Sequence, residues 1–197
     1  MIEAFTLSGV DGLPIHINYW PGDKKPKAII QIAHGMAEHS ARYADFAAAL
    51  NEFSYAVYAN DHRGHGHSIP PGRAPGHMAD AGGWNMAVEE LHMMNRDIAV
   101  RHPGLPILLF GHSMGSFMVQ QYMAEYGQTI AGAVLSATNG PPGPIGRAGQ
   151  LLARFEKLRF GAKGHSPVIA NMTFKTFNKP FAPNRTEFDW LSRDEAE

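Results

Sequence analysis

The sequence contains no cysteine. That excludes a disulfide framework and a thiolate-held metal, and leaves a reducing compartment open. No window reaches the roughly 18 consecutive apolar residues that a membrane-spanning helix needs. The opening stretch MIEAFTLSGVDGLPI lacks the basic start and long apolar run of a secretory signal. Neither sign of charge dominates: 17 Lys and Arg stand against 18 Asp and Glu. A net charge of -1 gives no general reason to expect nucleic acid or an anionic membrane as partner. A cytoplasmic location is therefore the expectation. What is present is ordinary for a globular protein, 44% hydrophobic and 18% charged. At 197 residues the chain is long enough for one well-buried core and short for two.

Two alternating runs, Glu3 to Leu7 and Ile15 to Tyr19, flank a turn-rich stretch and predict an antiparallel hairpin. Continuous apolar runs at Ala28 to Ala33, Tyr55 to Ala59, Pro106 to Phe110 and Ile130 to Ser136 suit buried strands. Between them, Tyr43, Phe46, Ala47, Leu50 and Phe53 recur at helical spacing, with Ser40 as the predicted N-cap. A second helix is predicted from Trp84 through Val88, Leu91, Met94 and Ile98, and a third over Met114 to Tyr126. Residues 60 to 83 are too rich in Gly, Pro and His for regular structure. Strands alternating with helices imply an α/β fold, a mainly parallel sheet with helices on both faces. Ligands then sit beyond the carboxyl ends of the strands. The loops beginning at His34, Asn60 and Gly111 are thereby singled out. After Ser136 the alternation stops. Residues 1–138 read as core and 139–197 as a cap segment, with Leu151, Leu152, Phe155 and Leu158 on one helical face from Gln150 to Phe160. Met172, Phe174, Phe177 and Phe181 form a second apolar cluster.

Gly111-His112-Ser113-Met114-Gly115 stands between a strand and a helix. A serine thrown out on so sharp a turn takes strained backbone angles, and side chains two positions either side would clash. Glycine at 111 and 115 removes the clash. Ser113 is the candidate nucleophile. The Met114 N–H is one oxyanion donor, with the following helix favouring negative charge there. Composition alone would give a GxSxG in roughly a tenth of chains this rich in glycine, so it is the placement that makes this one specific. His34-Gly35-Met36 follows a strand in the position of a second donor, and the Met36 N–H is the candidate. His34, Gly35, Gly111, His112 and Gly115 are the residues expected to support the site.

The segment Asn60 to Ser68 holds His62, His65 and His67. Alternating His and Gly could converge on a metal, but no cysteine or carboxylate cluster accompanies them beyond Asp61. It reads better as a structural loop, with Asp61 and Arg63 bonding neighbouring backbone. No metal is assigned.

Three strings occur in order: His34-Gly-Met-Ala-Glu-His-Ser-Ala-Arg-Tyr43, Asp61-His-Arg-Gly-His-Gly-His-Ser68 and Gly111-His-Ser-Met-Gly115. Together they resemble the monoacylglycerol lipase and lysophospholipase branch of the α/β-hydrolases. The resemblance implies an α/β-hydrolase fold, Ser113 as nucleophile, Met36 and Met114 as oxyanion donors, a lid after Asn139 over an acyl pocket, and hydrolysis of lipid esters without a cofactor. In that branch the acid Asp and the base His follow the cap. Asp189, Asp194 and His165 lie inside it and receive no such role. The chain is accordingly expected to be truncated after the sixth strand, with triad Asp and His outside it and the C-terminal part of the core absent. A serine hydroxyl is a poor nucleophile without a base, so a rival reading is a non-catalytic binding or assembly module, or a site that a second polypeptide completes. Arg147, Arg154, Lys157, Arg159 and Lys163 make the cap helix basic and amphipathic, compatible with peripheral lipid contact. Acyl transfer shares the same site. Halide or epoxide displacement calls for a carboxylate where this sequence has serine.

Overall fold

The apolar runs form the strands of one six-stranded sheet: β1 (Glu3–Ser8), β2 (Pro14–Trp20), β3 (Ala28–Ala33), β4 (Tyr55–Asn60), β5 (Ile107–His112) and β6 (Gly132–Ser136). The computed structural model describes residues 2–141, 143–161, 164, 166–171, 178–183, 185, 186 and 189. Sheet order is β1-β2-β4-β3-β5-β6. The β1–β2 and β2–β4 ladders are antiparallel; β4–β3, β3–β5 and β5–β6 are parallel. Ile30 lies opposite Val57 on one side and Leu108 on the other. This register aligns the carboxyl ends of β3, β4 and β5, from which the three singled-out loops depart.

Helices cover both faces because alternate strand residues are apolar both ways. On one face Ile17, Ile29, Ala33, Tyr58 and Leu109 pack against α2 (Gly83–Arg101), through Val88, Leu91, Met94 and Ile98, and against α3 (Met114–Tyr126), through Met118, Val119 and Tyr122. On the other, Ile30, Ile32, Val57 and Ala59 meet Tyr43 and Ala47 at the start of α1 (Ala44–Glu52). Gln31 is the polar exception in β3. It is fully buried, donates to the Leu91 carbonyl at 2.8 Å and accepts from Asn95 at 2.9 Å, fastening α2 across the sheet.

Two details of the first helix differ from the sequence expectation. Ser40 is not its N-cap: it opens a 3-10 turn, Ser40–Tyr43, that runs into α1, and its hydroxyl is engaged with Asp61. Phe46 and Phe53, placed by spacing on the apolar stripe, are exposed. The chain divides into two units, residues 1–140 and 141–197. In the second, α4 (Pro144–Phe160) starts six residues before the expected Gln150, with proline at its first turn. Leu151, Phe155 and Leu158 on it are exposed, and Glu156 is buried, accepting from Ser166 Oγ. A short α5 (Pro167–Ala170) follows, capped by the Ser166 side chain. Phe181 lies exposed in a 3-10 turn. Lys163, His165, Met172, Phe174, Phe177 and Asp194 lie outside the described residues. No helix among the described residues is long and apolar enough to cross a membrane.

Candidate active site

Ser113 leaves β5 and enters α3 with φ 49° and ψ −114°, left-handed backbone that a residue with a side chain rarely takes. The reason is in the glycines around it. A methyl at position 111 would lie 2.7 Å from the Gly115 carbonyl oxygen and 2.7 Å from Val119 Cγ2. One at 115 would fall on the Ala33 carbonyl oxygen and 2.6 Å from that of His34. The elbow is therefore pressed directly against the end of β3, which only glycine permits. Its amide donates to Ser136 O at 2.9 Å, and its carbonyl accepts from Ser116 N–H at 2.9 Å and Ser116 Oγ at 2.6 Å. His112 Nδ1 meets Ser136 Oγ at 3.1 Å, tying the same turn to the end of β6. The Ser113 side chain is half-buried, and its Oγ has no hydrogen-bond partner among the described residues.

The loop after β3 comes up beside it. A methyl placed on Gly35 would lie 3.3 Å from Ser113 Cβ and 3.4 Å from the His112 ring. The Gly35 carbonyl is bonded to His34 Nδ1 at 2.7 Å. In a planar trans peptide the next N–H points the opposite way, so the Met36 N–H faces away from the His34 ring. Neither this amide nor that of Met114, at the first turn of α3, is taken by an acceptor among the described residues. Two unengaged N–H groups thus belong to the turns that carry Ser113 and Gly35, that of Met114 at a helix N-terminus, and amides of this kind can receive a developing oxyanion.

Behind the loop, the histidines hold backbone. His34 Nε2 accepts from His62 N–H at 3.0 Å, which fixes the proton on its Nδ1. His62 returns the contact, Nε2 donating to His34 O at 3.2 Å while Nδ1 accepts from Asn60 at 3.2 Å. Both rings are fully buried. Burial lowers the His34 pKa to about 4, against a partial offset from the Gly35 bond, and burial with its neighbouring histidines pushes His62 well below the ordinary range. His65, packed edge-on against His34, is lowered by burial too. With both nitrogens of His34 and His62 engaged, these two rings have no lone pair left to offer a metal.

Asp61 accepts from Ser40 N–H at 2.7 Å, Ser40 Oγ at 2.6 Å and His67 N–H at 2.7 Å. Burial acts to raise its carboxyl, but these bonds outweigh it and hold the group below its usual range. Arg63, almost wholly buried, bonds Glu90 through Nε at 3.0 Å and Nη2 at 2.6 Å, and reaches Asp11 and the Met78 carbonyl. The segment is a knot joining the loops around the site to α2 and to the β1–β2 turn. Asp61 bonds backbone as the sequence suggests, whereas Arg63, expected to do the same, is held chiefly by the Glu90 and Asp11 carboxylates; Glu90 and Glu38 escape a sequence reading. Glu38 receives the Gly35 N–H and the Tyr43 hydroxyl. Glu90 carries a signal, since it shares the helical stripe of Ala87, Leu91 and Met94. Asp189 accepts from Arg185 N–H and from Thr186 within its own turn.

Residues 24–197 match the profile of the family described as serine aminopeptidase, S33. The chain is similar to human monoglyceride lipase, 35% identical over 196 residues, covering 95% of this chain and 58% of that protein. It is similar to a monoacylglycerol lipase of Mycolicibacterium smegmatis, 37% identical over 131 residues, covering 66% and 45%. A thermostable carboxyl esterase from Bacillus coagulans, solved in complex with glycerol, superposes with a TM-score of 0.82 at 27% identity, over 99% of this chain and 63% of that one. The chain thus spans about half the length of the curated relatives it matches. Family profile, relatives and fold agree with one another: the chain belongs to the serine aminopeptidase S33 family, in the monoglyceride lipase-like branch of the α/β-hydrolases.

Proposed function

We propose that this chain carries the nucleophile of a carboxylic ester hydrolase acting on monoacylglycerol-like or lysophospholipid-like esters. The observation that carries the reading is the strained Ser113 beside two unengaged amides, Met36 and Met114. In this reading Ser113 Oγ bonds to the ester carbonyl carbon and the carbonyl electron pair moves to oxygen, where the two N–H groups receive it. The adduct collapses with cleavage of the ester C–O bond, and the alcohol leaves with the proton that Oγ gave up. Water then attacks the acyl-enzyme, releasing the acid and restoring the hydroxyl. A base must carry that proton, and the reading gives that role to no histidine among residues 1–197, His165 included. The relatives' names supply the substrate class, and the exposed Leu151, Phe155 and Leu158 on basic α4 suit contact with a lipid surface. Glycerol release from a monoacylglycerol by the purified protein, in a form that includes the base histidine, tests it. Ser113→Ala is expected to lower the rate at least about 1000-fold; equal rates in the two proteins contradict the proposal.

One observation favours a second reading, a module that assembles with another strand. Among the described residues β6 pairs with β5 alone, and Val134 on it is 53% exposed. Such an edge is a template for pairing. Sedimentation of the protein discriminates: a stable assembly lost on Val134→Lys supports this reading, and a monomer at all concentrations removes it.

A further inference from the structure

The turn that presents Met36 is itself strained. Ala37 has φ 61°, left-handed backbone without glycine's freedom. The preceding Gly35 has no side chain to limit rotation of its two peptides, and a peptide flip there would reverse the Met36 N–H. Both peptides are nevertheless held. The His34 ring holds the Gly35 carbonyl, and the Glu38 carboxylate receives the Gly35 N–H. Glu38 is in turn fixed by the Tyr43 hydroxyl at 2.9 Å, from a side chain that is 9% exposed, with Arg42 Nε 3.9 Å from its other oxygen. The position is tight: a methyl on Gly35 would lie 2.7 Å from Glu38 Oε1 and 3.3 Å from Ser113 Cβ, so carboxylate and nucleophile border the same point.

A carboxylate so near a developing oxyanion is electrostatically unfavourable unless its charge is directed elsewhere. Here it is directed at the Gly35 N–H, the Tyr43 O–H and Arg42. We propose that Glu38 is a positioning residue: anchored by Tyr43, it locks the 34–35 peptide, and through it the orientation in which the 35–36 peptide offers the Met36 N–H to the oxyanion. This rests on the reading of Ser113 as nucleophile.

Reaction with an alkyl fluorophosphonate tests it, because the phosphoryl oxygen takes the place of the oxyanion. Ser113 Oγ bonds to phosphorus, the P–F bond breaks, fluoride leaves, and the hydroxyl proton passes to base or solvent. Rates are compared for the unsubstituted protein and for Glu38→Ala, Glu38→Asp and Glu38→Gln, with exchange of the Gly35 amide followed by NMR. Glu38→Ala and Glu38→Asp, the latter keeping the charge but one methylene too short, are expected to lower the maximal rate of phosphonylation about 100-fold, the effect of one lost oxyanion donor. Apparent probe affinity stays unchanged, and the Gly35 amide loses its protection. Glu38→Gln, which still accepts, stays within about tenfold of the unsubstituted rate. A purely structural role would instead change thermal stability with the rate intact. Unaltered labelling in a folded Glu38→Ala, or in Glu38→Asp if the alanine variant does not fold, overturns this proposal alone. No labelling of the unsubstituted protein in a form that includes the base histidine overturns the Ser113 reading and this one with it.

Discussion

Strained backbone marks the site at the scale of single residues. Four described non-glycine residues have positive φ, and three of them, Ala37, Ser113 and Ala137, lie in or directly beside the turns that meet at the site. Each such residue costs of order 1–3 kcal/mol, which persists only where surrounding contacts enforce it. At Ser113 the enforcement is the contact of Gly115 with the end of β3. Two outcomes follow. Ser113→Gly removes the side-chain penalty and is expected to be about 1 kcal/mol more stable to urea than Ser113→Ala. Gly115→Ala forces a methyl into the Ala33 carbonyl and is expected to cost about 3 kcal/mol by the same measurement. The two elbow glycines are legible in the sequence because the chemistry demands them at fixed offsets. Glu38 is not: it sits in a turn with no periodicity, and its partner Tyr43 reads as a helix-stripe residue.

At the scale of elements, the loop after β4 is tied down by one buried ion pair. Arg63 and Glu90 have side chains 1% and 2% exposed and lie 2.6 Å apart, whereas the Asp11 side chain on the other side of Arg63 is 47% exposed. Burial acts to lower the Arg63 pKa, but the bonds from Glu90 and Asp11 raise it further. Removing one member of a buried pair leaves an uncompensated charge. Glu90→Ala is therefore expected to destabilise by about 3–5 kcal/mol and Asp11→Ala by at most about 1 kcal/mol, read from denaturant midpoints. The hairpin, the parallel strands and α2 and α3 follow from period and turn residues. Ser40 misleads because its bonding is non-local: its hydroxyl accepts from Asn18 and donates to Asp61 across about twenty residues of chain, and no local pattern records that. The start of α4 is hidden by Gly146 and Gly149, weak helix formers inside its first turns.

At the scale of the whole molecule, titration of the buried histidines links stability to pH. His34, His62 and His65 all have pKa values lowered on folding, His34 to about 4, so the unfolded chain binds more protons below the ordinary histidine value. Stability then rises with pH in that window. It is expected to be full above about pH 6.5, and for His34 to be lost as pH falls toward 4. Asp61, whose pKa is lowered, adds loss only below its unfolded value near 3.8. Urea midpoints between pH 7 and 4 check this, and His34→Gln is expected to flatten the slope. A flat profile in the unsubstituted protein counts against the neutral, backbone-holding histidines. Fold class and branch are legible at this scale because three strings fall at the carboxyl ends of three parallel strands.

Site-mapped labelling with a fluorophosphonate tests the central claim most directly. Mass spectrometry of the digested protein is expected to place a single adduct on Ser113, absent in Ser113→Ala and strongly slowed in Gly115→Ala. An adduct on another serine, or none on a folded protein that includes the base histidine, contradicts it.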